Sequence, residues 1–489
     1  MEKFMPSEII IVGLGSGGSQ QWTLAAAQLL QEAEQVYLRT IHHPSVVDIS
    51  ASAHSFDDRY NQTGSLSKLN EQIAAEIVRL GQREQGVIYA VPGHPNFDEP
   101  TVLHIRKLAQ ANNIPVRIIP GLSLLEATFT ALEVDPPGNI QLVNAEIFAG
   151  QHHPPLEPDR PALITQVQGQ RMAAQIKQVL LNAYADDFNV TILQMTTAGI
   201  KQWACPLSTV DMQPLASNML TTLYLPANGS PGGFSTFQET IAHLRAPEGC
   251  PWDRAQTHQT LRPFLLEETY EVLEALDAAD SMALAEELGD LLLQIVLHTQ
   301  IAIDAGEFKM SDVIEHINRK LIRRHPHVFG NVVVNGAHEV TANWEVIKKS
   351  EKAAKGRAEE IVSALDGIPA VLPALAQALA ISKRAVRVGF EWPNIEGVLD
   401  KVIEEAHEIV EATDVAHLES EIGDLLFSVV NLARWRNIDP ESALRATNAR
   451  FRQRFKAMEA LAAAQGNDLQ GMSVEEMDEL WEEAKKTAE

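Results

Sequence analysis

The chain changes its apolar rhythm once, near the middle. Up to about residue 225, short β-branched or alternating apolar runs recur, most of them followed by stretches with apolar residues at helical spacing. They are EIIIVGLG from Glu8, VYLRT from Val36, GVIYAV (86–91), VRIIP (116–120), IQLVNA (140–145), ALITQV (162–167), VTILQM (190–195) and LTTLYL (220–225). This predicts a two-lobed α/β domain over 1–225, with the lobes joining near His152 to Pro161. PANGSPGG at 226–233 is Gly- and Pro-rich and reads as a flexible linker. Beyond it the helical period takes over, which predicts all-α domains over 234–350 and 365–489.

The helical half repeats itself. Glu405 with Glu408 and Glu421 with Asp424 are spaced i,i+3, so on helices each pair projects from one face and four acids are expected to converge. Glu268, Glu271, Glu287 and Asp290 form a second copy, and GDLL recurs at 289–292 and 423–426. ExxE is a common accident on a solvated helix, but its duplication is not. Packed carboxylates repel and are desolvated, which a divalent cation relieves; an all-oxygen set suits Mg²⁺ or Mn²⁺. Companions repeat as well: Asn318, Lys320 and Arg324 match Asn448, Arg450 and Arg454, while Trp344 and Lys348 match Trp481 and Lys485. Cations suit phosphate oxygens and an indole suits a base, although an indole serves a core equally well. A carboxylate di-iron bundle is the rival metal reading, because Glu404 and His407 form ExxH; Tyr270 in the first copy answers it.

Charge narrows the partners. The net charge is −26, of which −8 falls in residues 1–232 and −18 in 233–489, which argues against general nucleic-acid or anionic-membrane binding. Cys205 and Cys250 are the only cysteines, so no zinc site is expected and a reducing cytoplasm fits. No signal-peptide layout opens the chain and no apolar run approaches the ~18 residues of a membrane span, so a cytoplasmic protein is expected.

In the first half Gly13, Gly15 and Gly18 satisfy GxGxxG, but the acid expected about 20 residues on is missing. Pro92-Gly93-His94-Pro95 and Pro120-Gly121-Leu122-Ser123 each follow a strand directly, where α/β ligands usually bind. His94 is a candidate catalytic group, though a lone loop histidine is more often a hydrogen-bonding surface residue.

VGLGSGGSQQWTLAAAQLLQEAEQVYLRT, AVPGHPNFDEPTV and PGLSLLEATFTALEVDP resemble the tetrapyrrole methylase superfamily over about residues 8–225. The resemblance implies S-adenosylmethionine held by Gly13, Gly15, Gly93, His94, Gly121 and Ser123. The chain departs from the usual pattern at Ser16, where proline is common, and at Gly93-His94-Pro95, where typical methyl-transfer members carry Gly-Asp-Pro. GCPWDRAQT, LEETYEVLEAL, EELGDLL and RRHPHVF, then VGFEWPNIEGVLDKVIEEAHEIVEA and ESEIGDLLFSVVNLAR, resemble the MazG nucleoside triphosphate pyrophosphohydrolases. That resemblance implies hydrolysis of NTP or dNTP to monophosphate and pyrophosphate, for nucleotide pool sanitation or stress control, by intertwined homodimers or higher oligomers. It places Mg²⁺ (or Mn²⁺) on Glu405, Glu408, Glu421 and Asp424, phosphates on Lys401, Arg450, Arg454 and Lys485, and the base on Trp481. Asn448 and His417 join the nucleotide site, His417 standing where the family often has lysine. Glu405 or Glu408 is the expected base. Phe264 and Ala283 replace Lys401 and His417 in the first copy, so turnover is expected in the second. Methyl transfer as the main activity and a ligand-sensing regulatory protein remain the competing readings.

Overall fold

Strand β1 (Ile9–Gly13) is buried along its whole length, and its two faces feed different cores. Ile10 and Val12 pack with Ala26 and Leu30 of α1 (Leu24–Glu32). Ile9 and Ile11 pack with Leu69, Ile73 and Ile77 of α2 (Leu66–Gly81) and with Val102 and Ile105 of α3 (Pro100–Ala111). The two-residue period of a strand makes this division, and a sheet covered on both faces explains why β1 is apolar without alternation. The computed structural model describes residues 7–60, 66–135, 139–148, 150–196, 199–215, 221–354 and 363–487.

The first sheet runs β3-β2-β4-β1-β5, all parallel, with β2 (Gln35–Leu38), β3 (Ser52–Ser55), β4 (Val87–Val91) and β5 (Val116–Ile119). Helix α4 (Leu124–Leu132) follows it. The second sheet runs β6-β7-β10-β8-β9 and is mixed: β6 (Gln141–Asn144) is parallel to β7 (Ala162–Thr165), while β8 (Asn189–Thr196), β9 (Gly199–Pro206) and β10 (Thr221–Leu225) pair antiparallel. Helix α5 (Gly169–Leu180) buries Ala173, Ile176 and Leu180 on it.

Two expectations need correction. The lobes join between α4 and β6, because β6 pairs in the second sheet; His152 to Pro161 lies in the β6–β7 crossover. PANGSPGG is not the division between compact units, which fall at Met1–Gln256 and Thr257–Glu489. Its chain is tied down: Asn228 N donates to Pro158 O (2.8 Å), and Ser235 Oγ of α6 (Phe234–Arg245) bonds Glu157 Oε1 (3.0 Å). Strands β3 and β9 carry no apolar run, since both are sheet edges with largely solvated side chains.

The second unit is built from helices: α7 (Arg262–Asp277), α8 (Ser281–Ala305), α9 (Met310–Arg324), α10 (Ala337–Ala354), α11 (Ala374–Arg387), α12 (Ile395–Glu411), α13 (Val415–Trp435), α14 (Pro440–Ala464) and α15 (Val474–Thr487). Helices α7 and α8 pair as a hairpin, as do α12 with α13 and α14 with α15. Arg445 of α14 reaches Asp277 at the end of α7 (Nε–Oδ2 2.7 Å), a link between the two copies. By length and apolar composition α8 would suffice to span a bilayer, yet it packs along α7. Leu426, Val429, Leu444 and Phe451 are exposed, so these helices leave apolar surface uncovered within one chain.

Candidate functional site

The acid site of the second copy is set by two caps. Asn394, after Pro393, accepts from Gly397 N (3.1 Å) and starts α12; Asp414 accepts from His417 N (2.9 Å) and starts α13. The short connection between the helices makes them antiparallel neighbours, so Glu405 and Glu408 face Glu421. One carboxylate oxygen from each lies within 4.8 Å of the others. Glu405 is 4% exposed. Burial, then the charges of Glu405 and Glu421, hold the Glu408 carboxyl above its ordinary range, with Lys401 opposing.

Lys401 Nζ lies 2.8 Å from Glu405 Oε1 and 3.0 Å from Glu404 Oε1, and these hydrogen bonds hold its ammonium firmly charged. His417 Nε2 lies 3.0 Å from Glu421 Oε1. Glu405, Glu408 and Glu421 are the set at this spacing, and Asp424, one turn along α13 from Glu421, is exposed. Glu404 and His407 are exposed too and do not join it among the described residues, which removes a ligand set for the di-iron reading.

In the first copy Glu268, Glu287 and Asp290 converge in the same way, and the Glu271 side chain bonds that of Glu268. Burial and the neighbouring charges of Asp290, Glu271 and Glu267 push the Glu268 carboxyl up; for Glu287 the charges are those of Glu271, Asp290, Glu286 and Glu274. Where the second copy sets Lys401 against the buried acid, the first has Phe264.

Among the described residues, the contacts of the other expected nucleotide residues lie within their own helix pairs. Trp481 packs against Phe451 (centroids 5.0 Å apart) in the apolar seam of α14 and α15. Lys485 pairs with Glu482, on which Arg454 also acts, and Arg450 Nη2 donates to Thr447 Oγ1 (2.9 Å). Asn448 is exposed on α14. In the first copy Asn318 and Lys320 are on α9, and Arg324 with Arg323 grips Glu351 of α10 (2.7 and 2.6 Å). Trp344 meets His325 edge-on at 5.1 Å. The side chain of Lys348 lies outside the described residues.

In the first unit four of the expected residues meet at the carboxyl ends of β1, β4 and β5. Gly93 N donates to Gly15 O (2.7 Å). A Cβ on Gly13 would stand 2.5 Å from Gly93 O and 2.6 Å from Gly121 N, so only glycine lets these backbones touch. His43 Nε2 reaches Gly15 O (2.9 Å) and steadies that loop. Ser123 caps α4, accepting from Leu125 N (3.2 Å), and His94 Nδ1 accepts from Asn96 N (3.1 Å).

Sequence reasoning missed a polar network between the loop before α12 and the end of α13. Arg434 grips Glu391 through both terminal nitrogens (2.8 Å each), and Trp435 Nε1 donates to the same carboxylate (2.9 Å). GFEW at 389–392 and NLARW at 431–435 were its signal.

Comparison with known proteins follows the same division. The model described as MazG nucleotide pyrophosphohydrolase domain matches residues 256–329 and 394–458, and the model of Tetrapyrrole (Corrin/Porphyrin) Methylases matches 8–211. The uncharacterized protein YabN of Bacillus subtilis (strain 168) is 40% identical, over 99% of this chain and 99% of its own. The nucleoside triphosphate pyrophosphohydrolase/pyrophosphatase MazG of Thermotoga maritima is 48% identical over 51% of this chain and 95% of its own, and the nucleoside triphosphate pyrophosphohydrolase of Escherichia coli (strain K12) 46% over 50% and 94%. Likeness along the whole of one relative, with both family models in this order on the chain, means that it belongs to the YabN-like family, in which a tetrapyrrole methylase domain precedes tandem MazG domains.

Proposed function

We propose that the protein is a nucleoside triphosphate pyrophosphohydrolase whose working site is the second acid cluster. The observation that carries this reading is the convergence of Glu405, Glu408 and Glu421 with a lysine bonded to the most buried of them. Three desolvated oxygen donors at this spacing fit Mg²⁺ or Mn²⁺, and their mutual repulsion favours taking one up. A cation held by Glu405, Glu408 and Glu421 supplies positive charge against the phosphate oxygens.

The remaining work falls to the chain's own groups. Glu405 or Glu408 is proposed to take the proton of the attacking water. The water oxygen bonds the α-phosphorus, its proton passes to that carboxylate, and the α–β bridging oxygen leaves with pyrophosphate. Lys401 meets the charge that develops on the phosphates. Arg450, Arg454 and Lys485 are proposed to steady the leaving pyrophosphate, delivered by α14 and α15 of a second copy in a homodimer. The exposed apolar residues Leu426, Val429, Leu444 and Phe451 support that assembly.

The first unit is proposed to bind S-adenosylmethionine or a related nucleoside beside the glycine loops at the carboxyl ends of β1, β4 and β5, whose backbones pack too closely for a Cβ. When bound, that cofactor supplies a methyl group. Incubating the full chain with nucleoside triphosphates and Mg²⁺ and separating the products tests the main reading: pyrophosphate with monophosphate is expected, and orthophosphate with diphosphate would refute it.

A further inference from the structure

Outside both acid clusters, the first copy gathers cations around a carboxylate of its own. A cavity of about 440 Å³ is lined by side chains of α9 (Met310–Arg324) and by Glu351 of α10 (Ala337–Ala354). Arg319, Lys320, Arg323 and Arg324 reach it from one side of α9, since residues three and four apart on a helix are neighbours. His316, Asp312 and Glu315 line it too, and Arg319 is paired with Glu315. Four cations against three acids leave this wall positive in a chain whose net charge is −26.

Glu351 sits among these cations as a ligand would. Its Oε1 accepts from Arg323 Nη2 (2.6 Å) and Nε (2.8 Å) and from Arg324 Nε (3.2 Å), and its Oε2 accepts from Arg324 Nη2 (2.7 Å). Two guanidinium forks on one carboxylate are an arrangement suited to oxyanions in general. Lys320 has no bond among the described residues, so the carboxylate does not use up the positive wall. Its own helix does not favour this position: Glu351 stands in the last turn of α10, whose carbonyl end repels an anion. Hydrogen bonds from Arg324 and Arg323 hold its pKa at about 2, so mild acid does not release it, and a competing anion is the remaining way to open the wall.

The arrangement belongs to the first copy. With Asn318 set on Asn448 and Trp344 on Trp481, Lys320 and Arg324 recur as Arg450 and Arg454. Arg319, Arg323 and Glu351 stand against Ala449, Gln453 and Ala488, so the added arginines and the acid that answers them are missing together from the second copy.

We propose that α9 carries a phosphate-binding site which Glu351 closes as a tethered counter-ion, so that a diphosphate or longer polyphosphate group enters only by displacing it. A carboxylate brings one charge and two oxygens to this wall; a diphosphate brings more of both, and Lys320 is left for its second phosphate. A tethered group competes at an effective concentration of about a millimolar, which sets the level at which free anion enters.

The test is hydrogen exchange of the full chain titrated with inorganic pyrophosphate in the absence of divalent cation, read at the α9 peptide. Half-saturation of protection is expected at about a millimolar for the wild type and at least about tenfold lower for Glu351→Gln, and the double variant Arg319→Ala/Arg323→Ala is expected to show no protection. In the wild type, protection of α9 is accompanied by faster exchange in the last turn of α10 as Glu351 leaves; a simple tie between the helices would not give opposite changes. A parallel titration with ADP names the source: half-saturation no lower than that of pyrophosphate assigns the site to free phosphates and a lower value to nucleotides, and both support it. Equal half-saturation in the wild type and Glu351→Gln, or no protection of α9 in either, overturns the proposal. Should Glu351→Gln fail to fold, the wild type decides alone, and absence of the opposite changes at α9 and α10 ends it. Protection of α14 in the same titration bears on the hydrolase reading and leaves this one untouched.

Discussion

His43 joins stability of the first unit to pH through a single buried ring. It is 2% exposed; Nε2 donates to Gly15 O (2.9 Å), which forces Nδ1 to be the acceptor for Ser45 N (3.3 Å) and for the Ser45 hydroxyl (2.9 Å). Burial lowers its pKa to about 4, the Gly15 bond opposing weakly. A depressed histidine favours folding above its unfolded value near 6.5, because the unfolded chain takes up a proton first, and the benefit is lost as pH falls through about 4. At about 1.4 kcal/mol per pKa unit, the loss between pH 7 and pH 4.5 is about 2 to 3 kcal/mol. The perturbation is His43→Gln, which keeps a donor for Gly15 O but cannot titrate. Hydrogen exchange of the peptide from Ile9 to Gly15 in the full chain, measured at pH 7 and 4.5 after correction for intrinsic rates, isolates this region. Protection in the wild type is expected to fall by about thirtyfold or more on acidification, and in His43→Gln by much less. The same acid loss in both proteins would refute the reasoning, since carboxylates elsewhere would then carry it.

Glu408→Ala is expected to cut pyrophosphate release at least about a hundredfold and Glu271→Ala only slightly, both checked for folding by circular dichroism; the reverse ranking would move catalysis to the first copy. Arg324 and Arg323 hold the Glu351 carboxyl at about 2. A lowered acid stabilises above its unfolded value near 4.5 and ceases to as pH falls toward 2, so Glu351→Gln should lower the melting temperature at pH 7 while the difference from wild type narrows in acid. A constant difference across that range would count against the clamp. Gly121→Ala sets a methyl against Gly93 O and the carbonyl of Gly13, so calorimetric heat with S-adenosylhomocysteine should disappear. Undiminished heat would place any such ligand elsewhere.

The apolar rhythm of the sequence determined much here: a two-residue period gives a buried strand its two faces, and a 3.6-residue period gives a helix its stripe, so β1, β4 and the α12–α13 hairpin were all legible. The duplicated acids were legible because i,i+3 spacing is a property of one helix and needs no knowledge of its neighbours. Which acids approach most closely was not, for that depends on the angle and register between two helices; the tight sets are Glu405, Glu408 and Glu421 in one copy and Glu268, Glu287 and Asp290 in the other. The boundary at Gln256 rather than at PANGSPGG is a tertiary fact as well, since flexible composition says nothing about whether Pro158 and Glu157 will offer that segment hydrogen bonds. Edge strands β3 and β9 escaped because an edge takes its stability from backbone pairing, which leaves little trace in side-chain hydropathy. The grip of Arg434 on Glu391 joins α13 to a loop more than thirty residues earlier, and such a juxtaposition exists only once α11, α12 and α13 have packed.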